Sequence, residues 1–191
     1  MNYRILFTIE NLFELGSVGE LKILTETLLT RGWEVHLAIL GEHLHEANQW
    51  IESGIKLHVL NQDDRTPLHS CRDCFSIVPE LRKLIRTVSP DFVHAWCGQA
   101  EILTLVATRN APFTQPLPFK HLMSTRLTNP RELGFRQQIF ENYLGDTPNF
   151  TTVVPHASIK TKLIEHGKSD AQIEIIANSA APRKVAEKPI V

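Results

Sequence analysis

Apolar residues along the chain follow two alternating periods. Arg4-Ile5-Leu6-Phe7-Thr8-Ile9-Glu10 is a continuous apolar run of strand length, the pattern of a strand buried on both faces. A loop with Gly16 and Gly19 follows. Leu21, Leu24, Leu28 and Leu29 then recur at helical spacing up to Arg31-Gly32, where Gly32 is placed as a helix stop. Glu34 to Leu40 is the second strand. A short helix over about 44–53 is ended by Ser53-Gly54, and Ile55 to Leu60 is the third strand. Residues 61–74 are polar and aperiodic, so they read as a long loop. Ile77, Leu81, Leu84, Ile85 and Val88 form one face of a helix from about Phe75, with Arg82, Lys83 and Arg86 on the other. Ser89-Pro90 ends it, because proline disfavours helix in the residue before it. Asp91 to Ala95 is the fourth strand and 99–109 the next helix. Pro112, Pro116 and Pro118 mark a rigid loop. Phe119 to Thr125, Phe150 to Val154 and Gln172 to Ala177 complete the strands. Helices are expected over about 131–144 and from His156 to Glu165, the latter closed by Gly167.

Strand–helix alternation repeated six times predicts an α/β fold: a doubly wound, mostly parallel sheet with helices on both faces, in a single domain. Ligands of such sheets bind beyond the carboxyl ends of the strands. That rule selects Glu10, Asn11, Gly41, Asn61, His94, Trp96, Ser124, Arg126 and His156, and it expects strands one, four and five near the sheet centre.

Composition narrows the possibilities. A chain of 191 residues suits one domain, or at most one and a half. Its net charge of −1 argues against a dedicated nucleic-acid binder. The first 60 residues carry four basic and eight acidic side chains, and the remainder sixteen and thirteen. The N-terminus lacks the long apolar stretch of a signal peptide, and no apolar run reaches transmembrane length, so a cytoplasmic location is expected. The three cysteines are then reduced.

Several local features bear on chemistry. Gly16 and Gly19 would let backbone amides approach a phosphate at a helix start, but the loop matches neither G-x-G-x-x-G nor a Walker loop, and a plain turn fits equally well. Cys71-Arg72-Asp73-Cys74 lacks the second pair of a zinc ribbon and reads as two incidental thiols. His94 and Trp96 stand at the mouth of the fourth strand, where a packing role for the histidine competes with a functional one. Arg126 and Arg131 flank the mouth of the fifth strand and offer planar donor forks to phosphate or carboxylate, against the plain alternative of a solvated basic loop.

Three stretches in order carry a resemblance. Leu28-Leu29-Thr30-Arg31-Gly32-Trp33-Glu34-Val35-His36-Leu37 is similar to a "helix, then R-G-H-E-V" opening. Ser89-Pro90-Asp91-Phe92-Val93-His94-Ala95 is similar to "R-P-D-V-V-H-A". Thr152 to Gly167, followed by Ile173-Glu174-Ile175-Ile176-Ala177-Asn178, is similar to a "V-V-x-x-S…G…K-I-x-V-I-x-N-G" close. Together they resemble the N-terminal, Rossmann-like domain of GT-B glycosyltransferases of the family 4 type, over about residues 4–180.

The resemblance implies an acceptor-side domain over 1–180, a linker over 181–191, and a C-terminal donor domain that is absent. It implies transfer of a sugar, of hexosyl type, from a nucleoside diphosphate sugar to a saccharide or lipid-linked acceptor. No cofactor, metal or nucleic acid takes part, the donor is held mainly by the missing half, and the 191 residues alone are inactive. It places Gly16, Gly19, His94, Trp96, Arg126 and Arg131 around the donor phosphates and acceptor, with no catalytic residue assigned within these residues. A polysaccharide-building role at the inner face of a membrane, with peripheral contact, fits the same family. His94 matches the first histidine of the family's H-x-H, whereas Trp96 replaces the second and suggests an aromatic sugar platform. The alternatives are a stand-alone nucleotide- or sugar-binding module, a nucleotide-sugar epimerase of the same architecture, and a redox protein using Cys71 and Cys74.

Overall fold

The computed structural model describes residues 2–12, 16–41, 47–60, 71–96, 98–109, 117–125, 149–165 and 167–177. Seven strands form one sheet: β1 (Arg4–Ile9), β2 (Glu34–Ile39), β3 (Lys56–Val59), β4 (Phe92–Trp96), β5 (His121–Thr125), β6 (Phe150–Val154) and β7 (Ile173–Ile175). Their order is β3-β2-β1-β4-β5-β6-β7, and every neighbouring pair is parallel. The helices are α1 (Gly16–Thr30), α2 (Ala47–Glu52), α3 (Cys71–Val88), α4 (Gly98–Thr108) and α5 (Ala157–Glu165). The doubly wound parallel fold expected from the alternation is therefore present, with β1, β4 and β5 adjacent at the sheet centre.

Alternation along the central strands divides the core. Ile5, Phe7 and Ile9 of β1, with Val35, Leu37 and Ile39 of β2, meet Leu21 of α1 and Trp50 of α2 on one face. Leu6, Ala38 and Leu40 meet Leu81 and Ile85 of α3 and Leu103 and Ala107 of α4 on the other. Ile159 and Leu163 of α5 close over Val154 and Ile173. Strands buried on both faces need apolar residues at nearly every position, which is why they stand out in the sequence as unbroken runs.

The glycine stops act as expected. Gly32 has φ +78°, and its N–H donates to the carbonyl of Leu29 while Trp33 N–H donates to that of Leu28. This double closure satisfies the last carbonyls of α1, and a residue without Cβ takes the left-handed conformation at least cost. Gly54 and Gly167 end α2 and α5 in the same way.

Three elements differ from the sequence reading. The glycine loop is not a loop at Gly16 and Gly19: both lie in the first turn of α1. The leucine period begins only at Leu21, so it does not reach back over Gly16-Ser17-Val18-Gly19, where Val18 is the one large apolar side chain. α3 likewise starts at Cys71 rather than Phe75, because its opening turn, Cys71-Arg72-Asp73-Cys74, has no apolar period to show. β4 runs through Trp96, one residue further than expected. The helix expected over 131–144, the loop over 61–70 and the tail 181–191 lie outside the described residues.

Polar groups tie the amino edge of the sheet. Arg4 and Lys56 both pair with Glu34, holding its carboxyl down to about 2, with the Lys56 contact the larger cause. Glu34 also accepts from His36 Nε2–H at 3.1 Å. An ionised carboxylate only accepts, so His36 carries its proton on Nε2, and its Nδ1 accepts from His58 Nε2–H at 2.9 Å. Asp91 accepts the Arg4 N–H at 3.0 Å and pairs with Lys120 at 2.6 Å, linking β1, β4 and the approach to β5.

On the opposite face Thr8 Oγ1 and Thr104 Oγ1 lie 2.7 Å apart, both fully buried. This bond pins α4 to β1. Thr8→Val is expected to cost about 1–3 kcal/mol, because it strands the Thr104 hydroxyl away from water. The double change Thr8→Val with Thr104→Val is expected to cost less than the two single changes added together. Urea unfolding of the three variants measures this, and strict additivity would contradict a direct bond.

Candidate functional site

The carboxyl edges of β1, β4, β5 and β6 lie side by side, so the segments leaving them converge although they are far apart in sequence. The β1–β2 ladder continues past the strands, with Leu40 N–H donating to Ile9 and Gly41 N–H to Glu10. α1 begins at Gly16 on this edge, and the amides of its first turn have no intrahelical acceptor. Gly19 is open on its outer side: a Cβ placed there would meet nothing within 4 Å. His156 is exposed just past the end of β6. Arg126, Arg131 and Asn61 lie outside the described residues.

His94 and Trp96 point to the face that carries α1. Both are 6% exposed, and both pack against Phe7, with ring centroids 5.2 Å and 6.4 Å away. Burial in this apolar wall pushes the His94 imidazole down to about 3, so it is neutral at physiological pH. The two side chains line a single cavity of about 510 Å³ between α1 and strands β4 to β6, with Phe92, Met123 and Val153 among its other walls. Glu20, next to Gly19 in sequence, also lines it, and burial raises its carboxyl above the usual range. His94 and Trp96 therefore share one cavity with Glu20, Ile23, Leu24, Thr27 and Leu28 of α1, and Gly19 is not among the residues that line it.

Ser124 does not open toward the edge. It is fully buried, and its hydroxyl donates to Glu101 Oε1 at 3.0 Å. Glu101, in the first turn of α4, is 3% exposed and stands 4.0 Å from Lys168 Nζ, which also donates to Thr152 Oγ1 at 3.2 Å. This buried charge pair joins α4 to the segment after α5 beneath β5 and β6. Sequence reasoning missed it. Glu101 stands in an otherwise uncharged helix and Lys168 beside a helix-ending glycine, 67 positions later, so neither has a local signal. Among the described residues no group of three or more His, Cys, Asp or Glu side chains could hold a metal ion. Nor is any of their helices long and apolar enough to cross a membrane.

No family model matches the sequence, and no curated protein matches it. Solved structures do match the fold. A glycosyltransferase from Rickettsia africae superposes with a TM-score of 0.66 at 15% identity, over 92% of this chain and 43% of its own. HepE of Anabaena, in complex with UDP and glucose, gives 0.69 at 12% identity, over 93% and 45%. The lipopolysaccharide outer core galactosyltransferase WaaB gives 0.66 at 14% identity, over 95% and 47%. The fold is that of a GT-B glycosyltransferase domain. The chain spans less than half the length of these three matches, a share consistent with the N-terminal domain that the sequence motifs resemble.

Proposed function

We propose that this chain is the acceptor-side half of a glycosyltransferase that takes its sugar from a nucleoside diphosphate donor. The observation that carries the reading is the superposition of nearly the whole chain on less than half the length of several glycosyltransferases. HepE has been seen with UDP-glucose, which supports a uridine diphosphate sugar as donor. On this reading residues 1–180 form the N-terminal domain and 181–191 lead toward a donor domain. The acceptor is a saccharide or a lipid-linked sugar, the transfer is of hexosyl type, and the work takes place in the cytoplasm at or near a membrane face.

In such a transfer the bond from the sugar anomeric carbon to the diphosphate oxygen breaks and a bond to the acceptor hydroxyl oxygen forms. The hydroxyl proton leaves, and negative charge grows on the departing diphosphate. Free amides at Gly16–Gly19 and the guanidinium groups of Arg126 and Arg131 are suited to meet that charge. His94 is a poor candidate for the proton acceptor, because a group held at about 3 accepts protons weakly at neutral pH. Its contribution is to shape the wall beside the acceptor, with Trp96. Closing a second domain over this edge would align the acceptor oxygen with the anomeric carbon and exclude water.

The site assignment has its own test. In the native-length enzyme Arg126→Ala is expected to lower kcat/KM by at least about tenfold with little change in stability, because this reading gives its guanidinium to the substrates and not to the core. Steady-state kinetics beside urea unfolding measure both. Unchanged kinetics toward donor and acceptor would remove Arg126 from the site.

A further inference from the structure

Among the described residues the cavity beside α1 is lined mostly by apolar side chains, and Glu20 is the carboxyl group among them. It follows β4 from Phe92 at the amino end to Trp96 at the carboxyl end, four residue steps and so roughly 13 Å. Its volume of about 510 Å³ lies within the range of small-molecule sites. Its walls are aliphatic and aromatic, and its imidazole is neutral. Its carboxyl group, Glu20, lies toward the α1 start, where Trp96 and Ala177 also mark the carboxyl edge. At its lip Ile23 is 39% exposed and Ile176 60% exposed, large apolar side chains left facing water. The trough is therefore apolar along its length and reaches, at one end only, the edge where the polar chemistry is expected.

We propose that this cavity takes the hydrocarbon chain of an amphiphilic acceptor, leaving the sugar-bearing head at the carboxyl edge beside the start of α1. The placement of the head rests on the transferase reading above; the chain site rests on the cavity itself. A wall this apolar favours an apolar occupant, because a charged or strongly polar group would lose its hydration and find few partners along it among the described residues. Its extension along β4 from Phe92 to Trp96 suits a linear chain. Its continuity with the carboxyl edge, through Trp96 and Glu20, favours a molecule with one apolar and one polar end.

The chain holds two methionines, Met1 and Met123, and Met123 lines the cavity. The 191-residue protein labelled with ¹³C-methyl methionine therefore carries a reporter in the cavity wall at Met123. Octyl and decyl maltoside, each below its critical micelle concentration, are the probes, and maltose is the control. Saturable shifts of the Met123 methyl are expected with both detergents and none with maltose. Decyl maltoside is expected to bind roughly tenfold more tightly, because it buries two more methylenes. Ile23→Asp, a change at an exposed position, is expected to weaken decyl maltoside at least about tenfold. An unmoved Met123 methyl, equal affinity for the two chain lengths, or undiminished binding to Ile23→Asp would overturn the proposal. So would Met123 shifts that follow protein concentration without detergent, together with a doubled mass in sedimentation, since a second copy would then be the occupant. Release of UDP by the native-length enzyme is read separately. Transfer without chain binding removes this inference alone, whereas chain binding without transfer removes the transferase reading and keeps the cavity.

Discussion

Lowering the pH from 7 to 3 is expected to cost the wild-type chain roughly 4 kcal/mol of stability through His94, and to cost His94→Gln none of that share. The cause is burial. Unfolded, the imidazole titrates near its ordinary value of about 6.5; folded, it titrates at about 3. A depressed folded value means that the unfolded chain binds the proton first. The stability is fully present above about 6.5 and drains away as the pH falls toward 3. His36 and His58 are also lowered, chiefly by burial, and Glu34 loses its ion pairs as the pH falls from about 4.5 to about 2. All three act in the same direction, so the difference between wild type and variant, not the wild-type slope, isolates His94. Glutamine keeps a polar amide in the wall and does not titrate. Urea unfolding between pH 7 and pH 5 gives the clearest reading, because Glu34 stays ionised throughout. Parallel stability curves for the two proteins would show that His94 accepts a proton without unfolding, and that the cavity wall is wetter than described.

Phe7→Ala is expected to destabilise the chain by about 3–5 kcal/mol. Phe7 is fully buried in the middle of β1, between the α1 face and the rings of His94 and Trp96. Two terms add: the lost transfer of a benzyl group from water, and the space it leaves. That space cannot close easily, because Phe7 already lines a cavity and truncation enlarges it. Phe92, half-buried at the start of β4, is expected to cost less when truncated to alanine. Urea midpoints at constant m measure both. A Phe7→Ala cost below that of Phe92→Ala would mean that the two ends of the cavity wall are packed in the reverse order.

The strands were legible because a doubly wound sheet buries both faces, so β1, β2 and β4 are spelled as apolar runs. The glycine stops were legible because the left-handed closure at Gly32, Gly54 and Gly167 demands that residue. The central place of β1, β4 and β5 followed from the topology of a doubly wound sheet. The starts of α1 and α3 were read a few residues late, because their first turns carry too few apolar positions to show a period. Side-chain direction was also hidden. Trp96 is buried against Phe7 rather than standing clear at the strand mouth, because it shares the parity of Phe92 and His94 and so the face under α1. Ser124 turns the other way, to Glu101. The Glu101–Lys168 pair depends on tertiary contact alone.

Release of UDP from UDP-glucose is the most direct test of the central claim that this chain is half of a sugar transferase. It should be followed in the native polypeptide purified from its own cells and in the 191-residue chain alone, each with saccharide and lipid-linked acceptors. The account predicts a native chain about twice as long as 191 residues, in keeping with the 43–47% of their own lengths over which the three solved transferases match. It predicts acceptor-dependent UDP release by that native chain and none by the 191 residues. A native chain of 191 residues that releases no UDP with any acceptor, or one that turns over UDP-glucose unaided, would contradict it.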